Sequence, residues 1–146
     1  MKITNRRAFY DFQILERLEA GINLNGAEVK AIRAGKADLT GAFVRIIGSE
    51  AYLVSAKIFP PAYARPEGYD EDRTRKLLLH KAQIIALKGK MEGQNLSLVP
   101  TSLYITRHLV KLEIALGKGK KKFEKKEAKK KADVARDIEE ELASDV

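Results

Sequence analysis

The sequence predicts a mainly β domain, a small closed antiparallel β-barrel with inserted helices, followed by a charged C-terminal tail. Three observations carry that prediction. Short segments rich in aromatic and β-branched residues recur from Phe9 to Leu116, with turn-forming residues between them. Two stretches of helical periodicity interrupt them. At Gly117 the composition changes abruptly to "GKGKKKFEKKEAKKK", fifteen residues holding nine lysines and two glutamates. Of the 146 residues, 45% are hydrophobic, enough for one modest core within the first hundred or so. The boundaries that follow are 1–116 for the barrel and 117–146 for the tail, basic over 117–131 and acidic over 132–146.

Each element has a local reason. "FYDFQILE" (9–16) alternates roughly between apolar and polar residues and is expected as a strand. In "NGAEVKAIRAG", Asn25 is placed to cap a short helix, with Glu28 three residues on in a variant of the capping box. Val29 and Ile32 share one face of that helix, and Gly35 stops it. "AFVRIIGSEAYLVSAKI" (42–58) reads as two strands around a turn at Gly48 and Ser49. The three prolines and many charges of 60–75 mark a long surface loop. "KLLLHKAQIIALKGKMEG" (76–93) is expected to open a second helix, because Leu77, Leu78, His80 or Lys81, Ile84, Ile85 and Lys88 recur at three and four. Gly89 and Gly93 mark its decay. "LSLVPTSLYI" and "LVKLEIAL" close the body as strands joined by a hairpin loop at 106–108. Pro100 has no N–H for a ladder and belongs at an edge or a bulge. Five or six short antiparallel strands result, and the oligonucleotide-binding barrel is the commonest such architecture at this size.

The net charge of +8 bears on partners and points to polyanions, nucleic acid before an anionic membrane surface. It is unevenly spread: +6 over residues 1–116, +7 over 117–131 and −5 over 132–146. The chain has no cysteine, which excludes disulfides and thiolate-bound zinc and suits a reducing compartment. The opening "MKITNRRAFYDF" lacks the apolar core of a secretory signal, and no apolar run approaches the ~18–20 residues of a membrane span. A cytoplasmic, soluble protein is expected.

On a helix, Ala128, Ala132, Ala135, Ile138 and Leu142 would form a thin apolar stripe. Lysines would then crowd its N-terminal end and acids its C-terminal end, against the helix macrodipole. Pairs such as Lys122/Lys126 and Lys125/Lys129 repel at a spacing of four. The tail is therefore expected to be disordered when free and helical against a polyanion, whose phosphates relieve the repulsion. The plainer alternative is a solvated charged extension.

Little in the sequence speaks for catalysis. His80 lies among leucines, where a satisfied, partly buried histidine is expected, and His108 falls in the hairpin loop. "GKGKKK" lacks the spacing and the hydroxyl of a phosphate-binding loop. Asp70, Glu71 and Asp72 are neighbours in a polar loop and are expected to solvate it rather than to hold a metal. No catalytic residue, cofactor or metal site is expected.

"NRRAFYDFQILERLEAGINLNGAEVKAIRAGKADL" (5–39), "RTRKLLLHK" (73–81) and "ALGKGKKKFEKKEAKKK" (115–131) together resemble the SsrA-binding protein family, also called small protein B. The resemblance runs in order over nearly the whole chain, to about residue 131. It implies an oligonucleotide-binding β-barrel that grips the tRNA-like domain of transfer-messenger RNA near its elbow and delivers it to stalled ribosomes. It implies further partners: small-subunit RNA at the decoding centre and in the vacant mRNA channel, where the tail becomes helical, and an elongation factor reached through the RNA. No reaction by the protein and no membrane is implied.

Carried over by motif, the RNA-facing residues are Asn5, Arg6 and Arg7, Glu19 of the EAG motif, Arg75, Lys76 and Leu78 of the leucine-rich segment, and Lys111 of the last strand. Leu78 would otherwise be a core residue, Glu19 a helix cap or a lysine's partner, and Lys111 any outward strand residue. Gly119, Lys120 and Lys121 match the hinge of the tail, and Phe123, Glu124, Lys125 and Lys126 match its ribosome-engaging segment. That segment usually reads tyrosine or histidine followed by Asp-Lys-Arg. Here Phe123 can stack but cannot hydrogen-bond, and Lys126 lacks the planar fork of arginine. The acidic end, with Glu139, Glu140 and Glu141, also departs from the family. It is expected to stay outside the channel or to pair with the lysine run. Scattered Arg and Lys with few stacking rings suit a folded RNA read by shape and phosphate. A basic ribosomal protein and a generic single-strand-binding barrel are the alternatives.

Overall fold

Strand register turns the chain into a ring. The computed structural model describes residues 2–120; the expectations for Lys121, Phe123, Glu124, Lys125 and Lys126, for the conditional helix and for the acidic end lie outside the described residues. The order is β1 (Lys2–Thr4), α1 (Arg6–Asp11), β2 (Phe12–Ile22), α2 (Gly26–Arg33), β3 (Ala37–Asp38), β4 (Phe43–Ile47), β5 (Glu50–Val54), β6 (Lys57–Ile58), β7 (Arg75–Leu78), α3 (Lys81–Met91), β8 (Leu96–Thr106) and β9 (Leu109–Gly119). Seven strands form one sheet in the order β1-β8-β4-β5-β7-β2-β9, and β9 also pairs with β8. The loop β8-β4-β5-β7-β2-β9 therefore returns to its start, with Val44 opposite Leu98 where β4 meets β8. Every pairing is antiparallel. The small β3–β6 pair stands apart as a second sheet.

The core fills this ring. Leu39, Leu53, Ile58, Leu98, Leu103, Leu112 and Ile114 are at most 2% exposed, and each such side chain contributes roughly 1.5–3 kcal/mol of burial. A second, smaller cluster lies beneath α1, where Ala8 packs on Val99 and Ala115 beside Phe12 and Ile14.

Several local expectations hold. Asn25 Oδ1 accepts from the Glu28 amide at 2.9 Å and Glu28 Oε1 from the Asn25 amide at 3.1 Å, a reciprocal cap on α2. Gly35 follows α2 at φ +72°, and Gly48 takes φ +63° in the β4–β5 turn. The β8–β9 register slips between Pro100 and Ser102, so the proline sits at a bulge. Arg107 and His108 both take left-handed φ in a two-residue turn.

Two element assignments are corrected. Phe9, Tyr10 and Asp11 belong to α1, and the strand begins only at Phe12 and runs on to Ile22. The cause is tertiary: Asn5 caps the short helix by accepting from the Ala8 amide at 3.3 Å, and Ala8 is then buried against the sheet. The second helix begins at Lys81, not at residue 76. Arg75–Leu78 is β7, which bridges β5 and β2 with Arg75 and Leu77 inward and Lys76 and Leu78 outward. Period two governs there because the ring has a gap of one strand to fill. The next helix starts where the His80 amide donates to Gln83 Oε1 at 3.0 Å. The strand β9 runs through Gly119, past the composition change at Gly117.

Candidate nucleic-acid interface

The outward sides of β7, β2 and β9 share a register. Gly21 lies opposite Leu78 on one side and Lys111 on the other, so three strands contribute one row. Its middle position carries no side chain. A Cβ on Gly21 would stand 3.1 Å from Leu78 Cβ, and Leu78 leans over the space that glycine leaves. Leu78 is 57% exposed, on the outward side of β7 where its neighbour Leu77 points into the core. It is not a core residue. Beyond it on β7, Lys76 Nζ reaches Glu50 Oε1 at 3.1 Å, both ends half-exposed.

Two residues back along β2 from Gly21, Glu19 accepts a short hydrogen bond from the Tyr104 hydroxyl. Tyr104 itself stands opposite Lys111. Burial of the phenol, then the bond to Glu19 and the charges of Glu19 and Glu113, push its pKa up to about 12. Among the described residues Glu19 neither caps a helix nor pairs with a lysine. Further along, Arg17 Nη1 lies 3.5 Å from Glu113 Oε1, and its guanidinium stands 5.2 Å from the centre of the Phe9 ring. Glu113 Oε1 also accepts from Thr101 Oγ1 at 3.0 Å. Through Phe9 the strip meets α1, where Arg6 and Arg7 are exposed. Arg7 lies 5.2 Å over Tyr10 and 3.0 Å from Asp11 Oδ2. Cations, one bare leucine and oriented aromatics along a strip of this kind suit phosphates and ribose rather than a buried small ligand.

Two expected contact residues turn inward. Asn5 is 4% exposed, and its amide donates to Pro100 O at 2.8 Å and Leu39 O at 3.2 Å while its oxygen caps α1. It fixes α1 on the ring and has no surface to offer. Arg75 is wholly buried: Nε donates to Glu28 Oε2 at 2.8 Å, Nη1 to Ala56 O at 2.6 Å and Nη2 to Glu71 O at 2.8 Å. Both corrections have the same cause, since every polar atom of these side chains serves to tie separate segments together.

The partner of Arg75 was not visible as more than a cap. Glu28 is fully buried and accepts from Arg73 and Arg75, from the Tyr69 hydroxyl at 3.3 Å and from the Asn25 amide. Burial raises its pKa, but the Arg73 bond, the Asn25 amide and the Arg75 bond and charge outweigh that and hold it below the ordinary carboxylate value. An inward arginine in "RTRKLLL" demands a buried acid, and that was the available signal. Tyr104, Arg17 and Phe9 were also missed, because only cross-strand register brings them to the strip. His80 is exposed, not partly buried, since it caps α3 at the surface; His108 is exposed in its turn as expected. Gly119 ends β9 opposite Phe12, and Lys120 follows it, its amide donating to Asp11 O at 2.8 Å. Among the described residues no group of acids and histidines is placed to hold a metal, and no helix is long and apolar enough to cross a membrane.

Comparison with known proteins agrees with this geometry. The family model described as SmpB protein matches residues 2–144. The SsrA-binding protein of Sulfurihydrogenibium sp. (strain YO3AOP1) is 48% identical over 93% of this chain and 90% of its own length. That of Persephonella marina is 45% identical over 92% and 89%. A solved structure described as "tmRNA-SmpB: a journey to the center of the bacterial ribosome" contains a chain 44% identical, with a TM-score of 0.69, covering 87% of this chain and 93% of its own. With its ring, its outward leucine and its lysine-rich continuation, the chain belongs to the SmpB family.

Proposed function

We propose that the chain is a non-enzymatic adaptor that binds the tRNA-like domain of transfer-messenger RNA and delivers it to stalled ribosomes for trans-translation. In this reading the strand ring is an oligonucleotide-binding-type barrel that closes with β9 at Gly119, a little past the boundary expected at 116, and the residues after it are the segment that enters the vacant mRNA channel. The protein acts in the cytoplasm, meeting small-subunit RNA directly and an elongation factor through the RNA. The family membership and the ribosome-bound relative support the partners. The observation that carries the site is the Lys111–Gly21–Leu78 row.

A solvated leucine costs free energy in the free protein and regains it only when something covers it. Lys76 and Lys111 on either side select a polyanion for that cover. Arg6, Arg7 and Arg17 extend the cationic track past Glu19 and Tyr104, whose mutual bond keeps the acid turned toward the protein. Phosphates then set the position on the RNA, while Leu78 and the aromatics read the shape of its folded corner. Gly119, Lys120, Lys121, Phe123, Glu124, Lys125 and Lys126 are assigned to the ribosome.

Titration of the tRNA-like domain with wild type, Leu78→Ser and Lys111→Ala, with elongator tRNA as competitor, tests this. Leu78→Ser should lose about tenfold in affinity, roughly 1.4 kcal/mol, with an unchanged melting temperature. Wild-type affinity in both variants would place the RNA on another face.

A further inference from the structure

The outward surface of the ring continues past Leu78 onto two strands that the Lys111–Gly21–Leu78 row does not use. On β4, Phe43, Arg45 and Ile47 face outward and Val44 is buried; on β5, Tyr52 stands between the buried Ala51 and Leu53. Side chains directly opposite each other in a ladder share one face. Arg45 lies opposite Tyr52, and Tyr52 lies opposite Lys76 on β7. A cation, a ring and a second cation therefore form a row across three strands. Phe43 and Ile47 flank Arg45 on β4, about 6.6 Å away on either side, and are 41% and 58% exposed.

The Tyr52 hydroxyl donates to Glu50 Oε2, and Glu50 Oε1 accepts from Lys76 Nζ at 3.1 Å. The ring is thus held at its strand and at its hydroxyl, and Lys76 answers the charge of the acid. Among the described residues Arg45 makes no ion pair or side-chain hydrogen bond, so its guanidinium is left uncompensated between exposed apolar groups. A peptide strand has no edge to join here, because β4 is paired with β5 and β8, and β5 with β4 and β7. An unpaired nucleotide chain brings the matching chemistry, flat bases for rings and apolar surface, and phosphates for a guanidinium. Continuity selects which RNA. Lys76 and Leu78 are successive outward residues of β7, so the new row lies one two-residue repeat, about 6.6 Å, from the Leu78 row. We infer that the outer face of β4 and β5 binds unpaired nucleotides of the same transfer-messenger RNA, with a base on Tyr52 and a phosphate on Arg45. The inference rests on the RNA reading of the Leu78 row and adds base stacking to it, a contact that any base can make.

The chain contains no tryptophan, so Tyr52→Trp in the full-length protein places a single indole on the proposed platform. It is titrated with full-length transfer-messenger RNA, with decauridine and with small ribosomal subunits, while anisotropy of end-labelled RNA reports total binding. The indole should be quenched in step with binding of transfer-messenger RNA, and by decauridine at low salt. Arg45→Ala, an exposed position tested with Tyr52 in place, should weaken decauridine several-fold and lower its salt slope by roughly 0.7, one single-strand phosphate, at an unchanged melting temperature. Leu78→Ser separates the two readings. If it leaves the affinity for transfer-messenger RNA intact while Arg45→Ala weakens it, the Leu78 row fails and the β4–β5 face still binds RNA. If Leu78→Ser weakens binding while the indole does not respond and Arg45→Ala changes neither affinity nor slope, the row stands and the inference is overturned. Quenching by small subunits alone overturns it as well, since the face would then belong to ribosomal RNA.

Discussion

At Glu28 a single carboxylate joins α2 to β7 and to the loop between β6 and β7, and it does so without any exposure. Burial alone would make it a weaker acid, yet two arginines and the Asn25 amide hold it below its ordinary value of 4.5. The native state therefore binds this proton less readily than the unfolded chain. The resulting stability is present above the unfolded value and is lost as pH falls through the folded one. Glu28→Gln should remove that dependence and leave Arg75 buried without its counter-charge. Breaking a buried pair from one side costs about 3 kcal/mol or more, so the melting temperature at neutral pH should fall by more than about 10 °C. Melting curves of both proteins from pH 7 to pH 3 check the two effects together: the gap should be widest at neutral pH and narrow in acid. A constant gap would mean that Glu28 acts by shape and not by charge.

Strands and helices show where glycine makes the site. Gly21 and Gly117 both lie in long strands, yet an alanine at each meets different neighbours. At Gly21 the new Cβ comes to 3.1 Å from Leu78 Cβ and 3.3 Å from its Cδ1; the exposed Leu78 can swing its Cδ1 away, and the Cβ contact needs a backbone shift of a few tenths of an ångström. At Gly117 it comes to 2.9 Å from Phe12 Cβ, under α1, where there is little room to yield. Gly21→Ala should accordingly cost no more than about 1 kcal/mol while weakening RNA several-fold. Gly117→Ala should cost roughly 1–3 kcal/mol by overpacking. Thermal melts beside RNA titrations separate the two, and a Gly21→Ala protein that melts early but binds normally would remove Leu78 from the interface. The same scale explains what could be read beforehand. The α2 cap, the Gly48 turn and the Pro100 bulge are legible because their causes lie within a few residues. The run Leu77–Leu78–Leu79 fits a strand and a helix equally, and only the vacant place between β5 and β2 decides it. Six-residue α1 exists because Ala8 has Val99 and Ala115 to rest on, partners some ninety residues and more away. The proposed site divides likewise: the motifs name Lys76, Leu78 and Lys111, which the strands turn outward, whereas the inward turn of Asn5 and Arg75 follows from bonds to distant segments.

For the whole molecule, the question is how a ring with modest excess charge and a tail whose first fifteen residues are densely basic divide one RNA between them. The formal charges are +6 over 1–116, +7 over 117–131 and −5 over 132–146. A lysine run adds affinity by counterion release, and that term is indifferent to sequence and to RNA shape. It strengthens binding to a tRNA-like RNA and to elongator tRNA alike and cancels in their ratio. In the proposed reading the row on β7, β2 and β9 does not cancel, because there only a folded corner of the right shape covers Leu78. A chain ending at residue 120 should therefore bind more weakly at low salt and show a shallower salt slope, by roughly 0.7–0.9 for each phosphate that the tail no longer neutralises. Its preference over the competitor should be unchanged. A chain ending at residue 136 loses Glu139, Glu140 and Glu141 and should move the other way, with tighter binding at low salt and a steeper slope. Competition titrations across a salt series compare all three lengths in one experiment. If the preference collapses with the tail, recognition resides in the lysines and the strip on the ring is only a bystander. If it survives while the slopes change as stated, shape is read by the ring and the charge of the tail is left for another polyanion.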